Sequence, residues 1–212
     1  PHLSIYDLNI EADTVFGRRH KKANLNVPIE SEAEKIDFET NRFLKSRGFS
    51  RYEISSYSLP GHASRHNRMY WSGSGWWGFG MGATSAPWGE RFSRPRTIAG
   101  YKKWLEAQES ELLEKTLFFE KSTPMPLDEL MMIGLRRREG VHFEELASNT
   151  GWSQKICDKN LKLLEKYWVN FLKEGYLLEK NGRYFLSNPK GMLISNQILI
   201  QMFLWWDSLD LD

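Results

Sequence analysis

Cysteine is almost absent from this chain: Cys157 is the only one among 212 residues. A single thiol cannot close an internal disulfide, nor can it alone hold a structural zinc or an iron–sulfur cluster. A reducing compartment is the matching expectation. The chain also lacks an uninterrupted apolar run long enough to span a membrane, since Ser195, Asn196 and Gln197 break the stretch from Leu193 to Trp206. No integral membrane segment and no secretory leader are expected. A dominant charge sign is missing too. Lys and Arg number 29 against 27 Asp and Glu, a net +2, which makes no broad field to steer the chain toward nucleic acid or a membrane. An initial methionine is lacking, and the residues after Pro1 already read as a strand. The expectation is that the front of a larger protein is missing.

Aromatics are abundant by contrast, with nine Trp, many of them within 70–104. Such a concentration builds either a broad core or an aromatic-lined binding surface. His2 to Asn9 alternates apolar and polar residues and predicts a strand. A basic, irregular loop follows over 17–28. Ser31 and Glu34 have capping-box spacing ahead of a helix with apolar positions Ala33, Ile36, Phe43 and Leu44, ended by Gly48. Phe49 to Ser55 predicts a second strand and completes a β–α–β unit. Residues 58–75 read as loop, and Thr97 opens a helix running to about Leu113. A linker, 115–125, ends in prolines. Beyond it come helices over 127–140, 143–148 and 153–174. Strands 176–180 and 183–187 then flank Asn181-Gly182, a strong hairpin signal. Asn188 and Pro189 begin a last helix.

The fold class read from this pattern is α/β over 1–122, followed over 123–212 by a small winged-helix-like α+β domain. The lysines of 153–174 (Lys155, Lys159, Lys162, Lys166 and Lys173) suggest a nucleic-acid module. Asp158, Glu165 and Glu174 dilute them, so no nucleic-acid partner is expected.

Chemistry concentrates in the middle of the first segment. His66, Asn67, Tyr70 and Trp71 combine a metal-binding nitrogen, an amide and two flat surfaces with polar tips, a set that suits a large planar ligand with a metal at its centre. Alternatively, Tyr70 and Trp71 are core residues and His66 caps a loop. Gly78, Gly80 and Gly82, followed by Ala83, read as an extended segment with one bare face against which a flat ligand could lie; close helix-on-strand packing explains small residues equally well. Glu53 and Ser55 share one face at the end of the second strand. With Asp7 and Glu11 after the first strand, they can reach a ligand or serve as partners for nearby arginines such as Arg65.

The runs HLSIYDLNIEADTVFG (2–17), YEISSYSLPGHASRHNRMYW (52–71) and GFGMGATS (78–85) resemble the C-terminal half of the oxygen-independent coproporphyrinogen III oxidase-like radical SAM proteins. LDELMMIGLRRREGV (127–141) and FLKEGYLLEKNGRYFLSNPKG (171–191) resemble the family's accessory domain, and the HNxxYW run at 66–71 is most like its HemW-like heme-chaperone branch. The resemblance implies that 1–122 is the C-terminal part of a partial (β/α) radical SAM barrel. It further implies heme binding at His66, Asn67, Tyr70 and Trp71, with His66 a heme-iron ligand, and S-adenosylmethionine running along Gly80, Gly82 and Ala83. The complete parent would carry a [4Fe–4S] cluster on a CxxxCxxC motif that this chain lacks, so the chain alone is expected to be inactive as a radical enzyme. Heme-acceptor proteins are the implied partners. Cytoplasm is the implied location, or a chloroplast or mitochondrion in a eukaryote. An alternative is a parent that oxidatively decarboxylates coproporphyrinogen III, with Arg65, Arg68 and Arg91 as propionate anchors.

Overall fold

Residues 1–8, 10–22, 27–87, 91–114 and 125–209 are described by a computed structural model of the chain. Strand β1 (His2–Ser4) is followed by α1 (Val15–Lys21) and α2 (Glu30–Ser46), then β2 (Ser50–Glu53) and β3 (Ser56–Ser58). Thr14 starts α1 by accepting the Gly17 amide at 3.0 Å, so part of the expected basic loop is helical. In α2 the capping carboxylate is Glu32, which accepts the Ile29 amide at 3.1 Å, rather than Glu34. The helix starts one residue before Ser31 and shifts the capping register accordingly.

The expected β–α–β unit is opened by a strand that the alternation pattern did not separate. β3 lies between β1 and β2 and is antiparallel to both, with Leu3 and Arg51 each opposite Tyr57. Strands β1 and β2 therefore run in the same direction without being neighbours. The bend at 54–55 turns what reads as one strand, 49–55, into the start of a hairpin. Tyr57 is fully buried in it. Of the apolar positions assigned to α2, Leu44 is buried, whereas Ile36 and Phe43 are more than half exposed.

Next come α3 (Arg65–Trp71), β4 (Thr84–Ser85), β5 (Phe92–Ser93) and α4 (Ile98–Glu114). Thr97 caps α4 as expected, its hydroxyl accepting the Gly100 amide. The expected linker, like the 122/123 boundary, falls almost wholly outside the described residues.

The remaining elements are α5 (Leu127–Leu135), β6 (Val141–His142), α6 (Phe143–Asn149), α7 (Gln154–Tyr167), α8 (Val169–Lys173), β7 (Leu177–Lys180), β8 (Arg183–Leu186), α9 (Lys190–Leu193) and α10 (Ser195–Asp207). They share one core. Leu127, Met131 and Leu135 present one stripe of α5 to Val141, Phe143, Leu164, Trp168, Met202 and Trp205. The expected helix over 153–174 is two helices, interrupted at Trp168, which is 0% exposed and donates its indole N–H to the Ile198 carbonyl at 3.2 Å. The hairpin forms as read: Asn181 and Gly182 have φ of 55° and 74°, the left-handed pair that a two-residue turn of this kind requires. Sheet order is β6-β8-β7. Against this sheet, Tyr184 donates to Glu165 at 2.6 Å; burial first, and then this bond, hold its phenol far above the ordinary value. No helix among the described residues is long and apolar enough to cross a membrane.

Backbone hydrogen bonds join β2 to the segment that follows α5. The Ile54 amide donates to Arg136 O at 2.9 Å, and Arg138 donates to Tyr52 O at 3.0 Å. Residues 136–138 thereby extend the edge at β2, and α5 arrives beside α3.

Candidate ligand-binding cleft

Seven residues make α3, and helical periodicity sorts them by face. Asn67, Tyr70 and Trp71 follow the i, i+3, i+4 rule and are half-buried on one side. Arg65, His66, Arg68 and Met69 are exposed. Ser64 starts the helix, its hydroxyl accepting the Asn67 amide at 3.2 Å.

Tyr52 on β2 holds this turn to the sheet. Its buried hydroxyl meets His2 Nε2 at 2.8 Å, accepts the Ser64 amide at 3.2 Å, and lies 3.5 Å from Asn67 Nδ2. The Ser56 hydroxyl accepts from the same amide nitrogen at 3.4 Å. Sequence alternation alone did not single out Tyr52, because its partners lie 50, 12 and 15 residues away. Replacing Tyr52 by Phe should leave the fold intact, remove these contacts, and lower ligand affinity of the cleft by about tenfold. A modest fall in melting temperature, from the partners left unpaired, should accompany the loss of affinity; a Phe variant of full affinity would show that Tyr52 does not position α3.

Between α3 and the sheet lies a cleft of about 310 Å³. Asn67, Tyr70 and Trp71 form one wall, while Glu53 and Ser55 line it from the end of β2. Tyr6, Trp76, Arg91 and Ile133 complete it. Tyr70 and Trp76 meet edge-on, with centroids 4.8 Å apart. Arg91 stacks over Trp76 at 5.7 Å and approaches Glu129 at 3.9 Å. Glu53 is 2% exposed, and its Oε2 accepts the Ser55 amide at 3.1 Å. Trp76, Tyr6 and Ile133 were not singled out by sequence; the tryptophan density of 70–104 was the available signal for Trp76, whereas Ile133 reaches the site only through the packing of α5 on α3.

The remaining expected site residues are distributed around this cleft. His66 does not line it but packs edge-on against Tyr70, with centroids 4.7 Å apart. Arg65 and Glu11 are exposed and do not line it, and Asp7 lines a second, more polar cavity beside Arg51 and Asp37. Arg68 is engaged by Glu139 at 2.7 Å. Gly80, Gly82 and Ala83 form a turn rather than an extended face: Gly80 and Gly82 have φ of +90° and +70°, and the Ala83 amide donates back to Gly80 O. A Cβ at Gly80 would meet nothing within 4 Å, so that backbone is open to approach by a ligand.

Cluster chemistry finds no ligands here. Cys157 is buried in the core of the second half, and burial raises its thiol pKa. Among the described residues, no group of three or more His, Cys, Asp and Glu could hold a metal ion. Three thiolates are needed for a [4Fe–4S] cluster with an open iron, so this chain's residues do not fit one.

No protein-family model matches the chain. Its fold matches part of coproporphyrinogen III oxidase (HemN) from Escherichia coli, a radical SAM enzyme, with a TM-score of 0.63 at 14% identity, over 95% of this chain and 47% of that one. The heme chaperone HemW of Synechocystis is 36% identical over 95% of this chain and 51% of its own length, and HemW of Bacillus subtilis is 31% identical over 93% and 49%. By sequence the chain belongs with the HemW-like radical SAM proteins. It spans about half the length of the curated relatives it matches.

Proposed function

We propose that the protein binds heme in the cleft beside α3 and passes it to acceptor proteins, as a HemW-like heme chaperone. The observation that carries this reading is the convergence of Asn67, Tyr70 and Trp71 with Trp76 and Arg91 on one aromatic-walled cleft. Flat apolar walls suit a porphyrin face, and a guanidinium suits its propionates. Heme is the cargo. His66, exposed and packed edge-on against Tyr70 of the aromatic wall, is the proposed iron ligand.

S-adenosylmethionine would lie along the open backbone of Gly80, Gly82 and Ala83, and would supply a sulfonium-bearing co-ligand there. Residues 1–122 form the C-terminal part of a radical SAM barrel in this reading, and 123–212 form a winged-helix module whose third helix is α7. That module packs and supports α3 rather than meeting nucleic acid. A cytoplasmic setting agrees with the lone, buried cysteine.

A heme titration followed through the Soret band tests the reading. The chain should bind saturably, and His66→Ala should weaken binding about tenfold and shift the band as an iron ligand is lost. Equal affinity and an identical spectrum in the variant would remove His66 as a ligand; no binding by the native chain would remove the cleft as a heme site.

A further inference from the structure

The molecule holds a second cavity, of about 280 Å³, bounded by β2, β3, α2 and the start of α10. Its charged groups are only partly engaged with one another. Arg51 on β2, 7% exposed, reaches both oxygens of Asp37 at 3.2 Å and donates Nε to Ile54 O at 3.1 Å, so that pair is complete within the protein. Arg136 is not engaged in this way. Its guanidinium lies over the Trp71 ring at 5.6 Å, a contact that uses its face and leaves its N–H edge for an acceptor. Among the described residues it forms no ion pair and no side-chain hydrogen bond, and its Nε is buried without a partner. Ser195, the first residue of α10, lines the same cavity at 7% exposure, and its hydroxyl has no hydrogen-bond partner among the described residues. That helix start has no side-chain cap and no acidic residue in its first turn to offset its partial positive charge. Asp7, exposed and without an ion pair among the described residues, supplies the open negative charge.

We propose that this cavity binds an aliphatic α-amino acid, with its carboxylate at Arg136 and the Ser195 end of α10 and its ammonium at Asp7. Heme binding beside α3 plays no part in it. A carboxylate gains charge-assisted bonds from a guanidinium and from the start of a helix, where the hydroxyl of Ser195 adds a further donor. The ammonium of the same molecule answers Asp7. Ile5, Ile36, Ile54 and Leu193 contribute aliphatic surface to the lining, which suits a branched side chain. Other small ligands satisfy less of the site. A phosphate dianion would meet Asp7 and Asp37 as well as the cations, and like charges at close range oppose it. A simple carboxylate leaves Asp7 unanswered, and a simple amine leaves Arg136 so. At about 280 Å³ the cavity is near the lower bound of ordinary small-molecule sites, which fits an amino acid better than a nucleotide.

Calorimetric titration of the full chain tests this with L-leucine, isocaproate (leucine without its amine), isoamylamine (leucine without its carboxylate) and inorganic phosphate. Leucine should bind saturably and about tenfold more tightly than either analogue. Asp7→Asn should remove its advantage over isocaproate, and Arg136→Gln its advantage over isoamylamine. Should Arg136→Gln fail to fold, as judged by circular dichroism, Asp7→Asn decides together with the analogues, since Asp7 is exposed. No saturable heat from leucine at either of two temperatures, or equal affinity for leucine and one analogue, would overturn the inference. Native leucine affinity in Asp7→Asn would do the same. Tighter binding of phosphate would make the cavity a plain anion site, and displacement of leucine by S-adenosylmethionine would give it to that co-ligand; either result would also overturn the inference.

Discussion

Trp168→Ala should cost about 3–5 kcal/mol and leave the second half of the chain largely unfolded at moderate temperature. The indole is 0% exposed, its N–H is bonded to Ile198 O at 3.2 Å, and its ring lies 5.5 Å from Tyr184. Truncation leaves a cavity where α7, α8, β8 and α10 meet, and strips the Ile198 carbonyl of a side-chain donor in a place water does not reach. Because domains are stable by only about 5–15 kcal/mol, one such loss consumes a large share. The effect should carry to the cleft, since α5 packs in the same core and supplies Ile133. Urea unfolding is the check: a midpoint shift equivalent to less than about 1 kcal/mol would mean that the core relaxes around the lost ring.

Gly78→Ala should abolish ligand binding in the cleft, whereas Gly80→Ala should have a smaller effect, and the contrast depends on geometry rather than on residue type. A Cβ at Gly78 would sit 2.3 Å from the Thr84 carbonyl oxygen, a backbone atom held within the β4–β5 pairing. Relief requires moving the segment that carries Trp76, which is bridged to Ala86 and donates its indole N–H to Thr84 O at 3.3 Å. Overpacking of this kind costs about 1–3 kcal/mol and would displace an aromatic wall of the cleft. At Gly80 there is open space, and the cost comes from φ of +90°, which an alanine adopts with strain of about 1 kcal/mol or more. Heme titration of the two variants reads the difference. Comparable affinity in both would show that the Gly78 segment shifts without disturbing Trp76.

Much of the second half was legible from sequence because its signals are local. Asn181-Gly182 specifies its own turn, and in the first segment Thr97 likewise caps α4 with its own hydroxyl. The apolar stripe of α5 follows from spacing, but the division of the helix at Trp168, whose indole bonds Ile198 O 30 residues away, does not. The same distinction runs through the site. The motif containing His66, Asn67, Tyr70 and Trp71 stands out as composition, yet a seven-residue helix between residues 58 and 75 was not expected. Its short period places Asn67, Tyr70 and Trp71 in the cleft and leaves His66 exposed outside the lining.

The sequence by itself determined which chemistry is present: planar aromatics, an amide, an imidazole and arginines near one another along the chain, a single thiol, and a likeness to the HemW-like proteins. Tertiary structure alone decided which of these share a cleft. Tyr52 binds α3 to the sheet, 136–138 extend the edge at β2, and α5 brings Ile133 to the wall, all through contacts between residues far apart in sequence. It also separated three similar arginines: Arg65 stays in solvent, Arg68 is engaged by Glu139, and Arg91 stacks on Trp76 at the cleft. Composition is a property of the chain, whereas depth arises only when distant segments pack, which is why Glu53 is buried at the cleft while Arg91 stays exposed beside it.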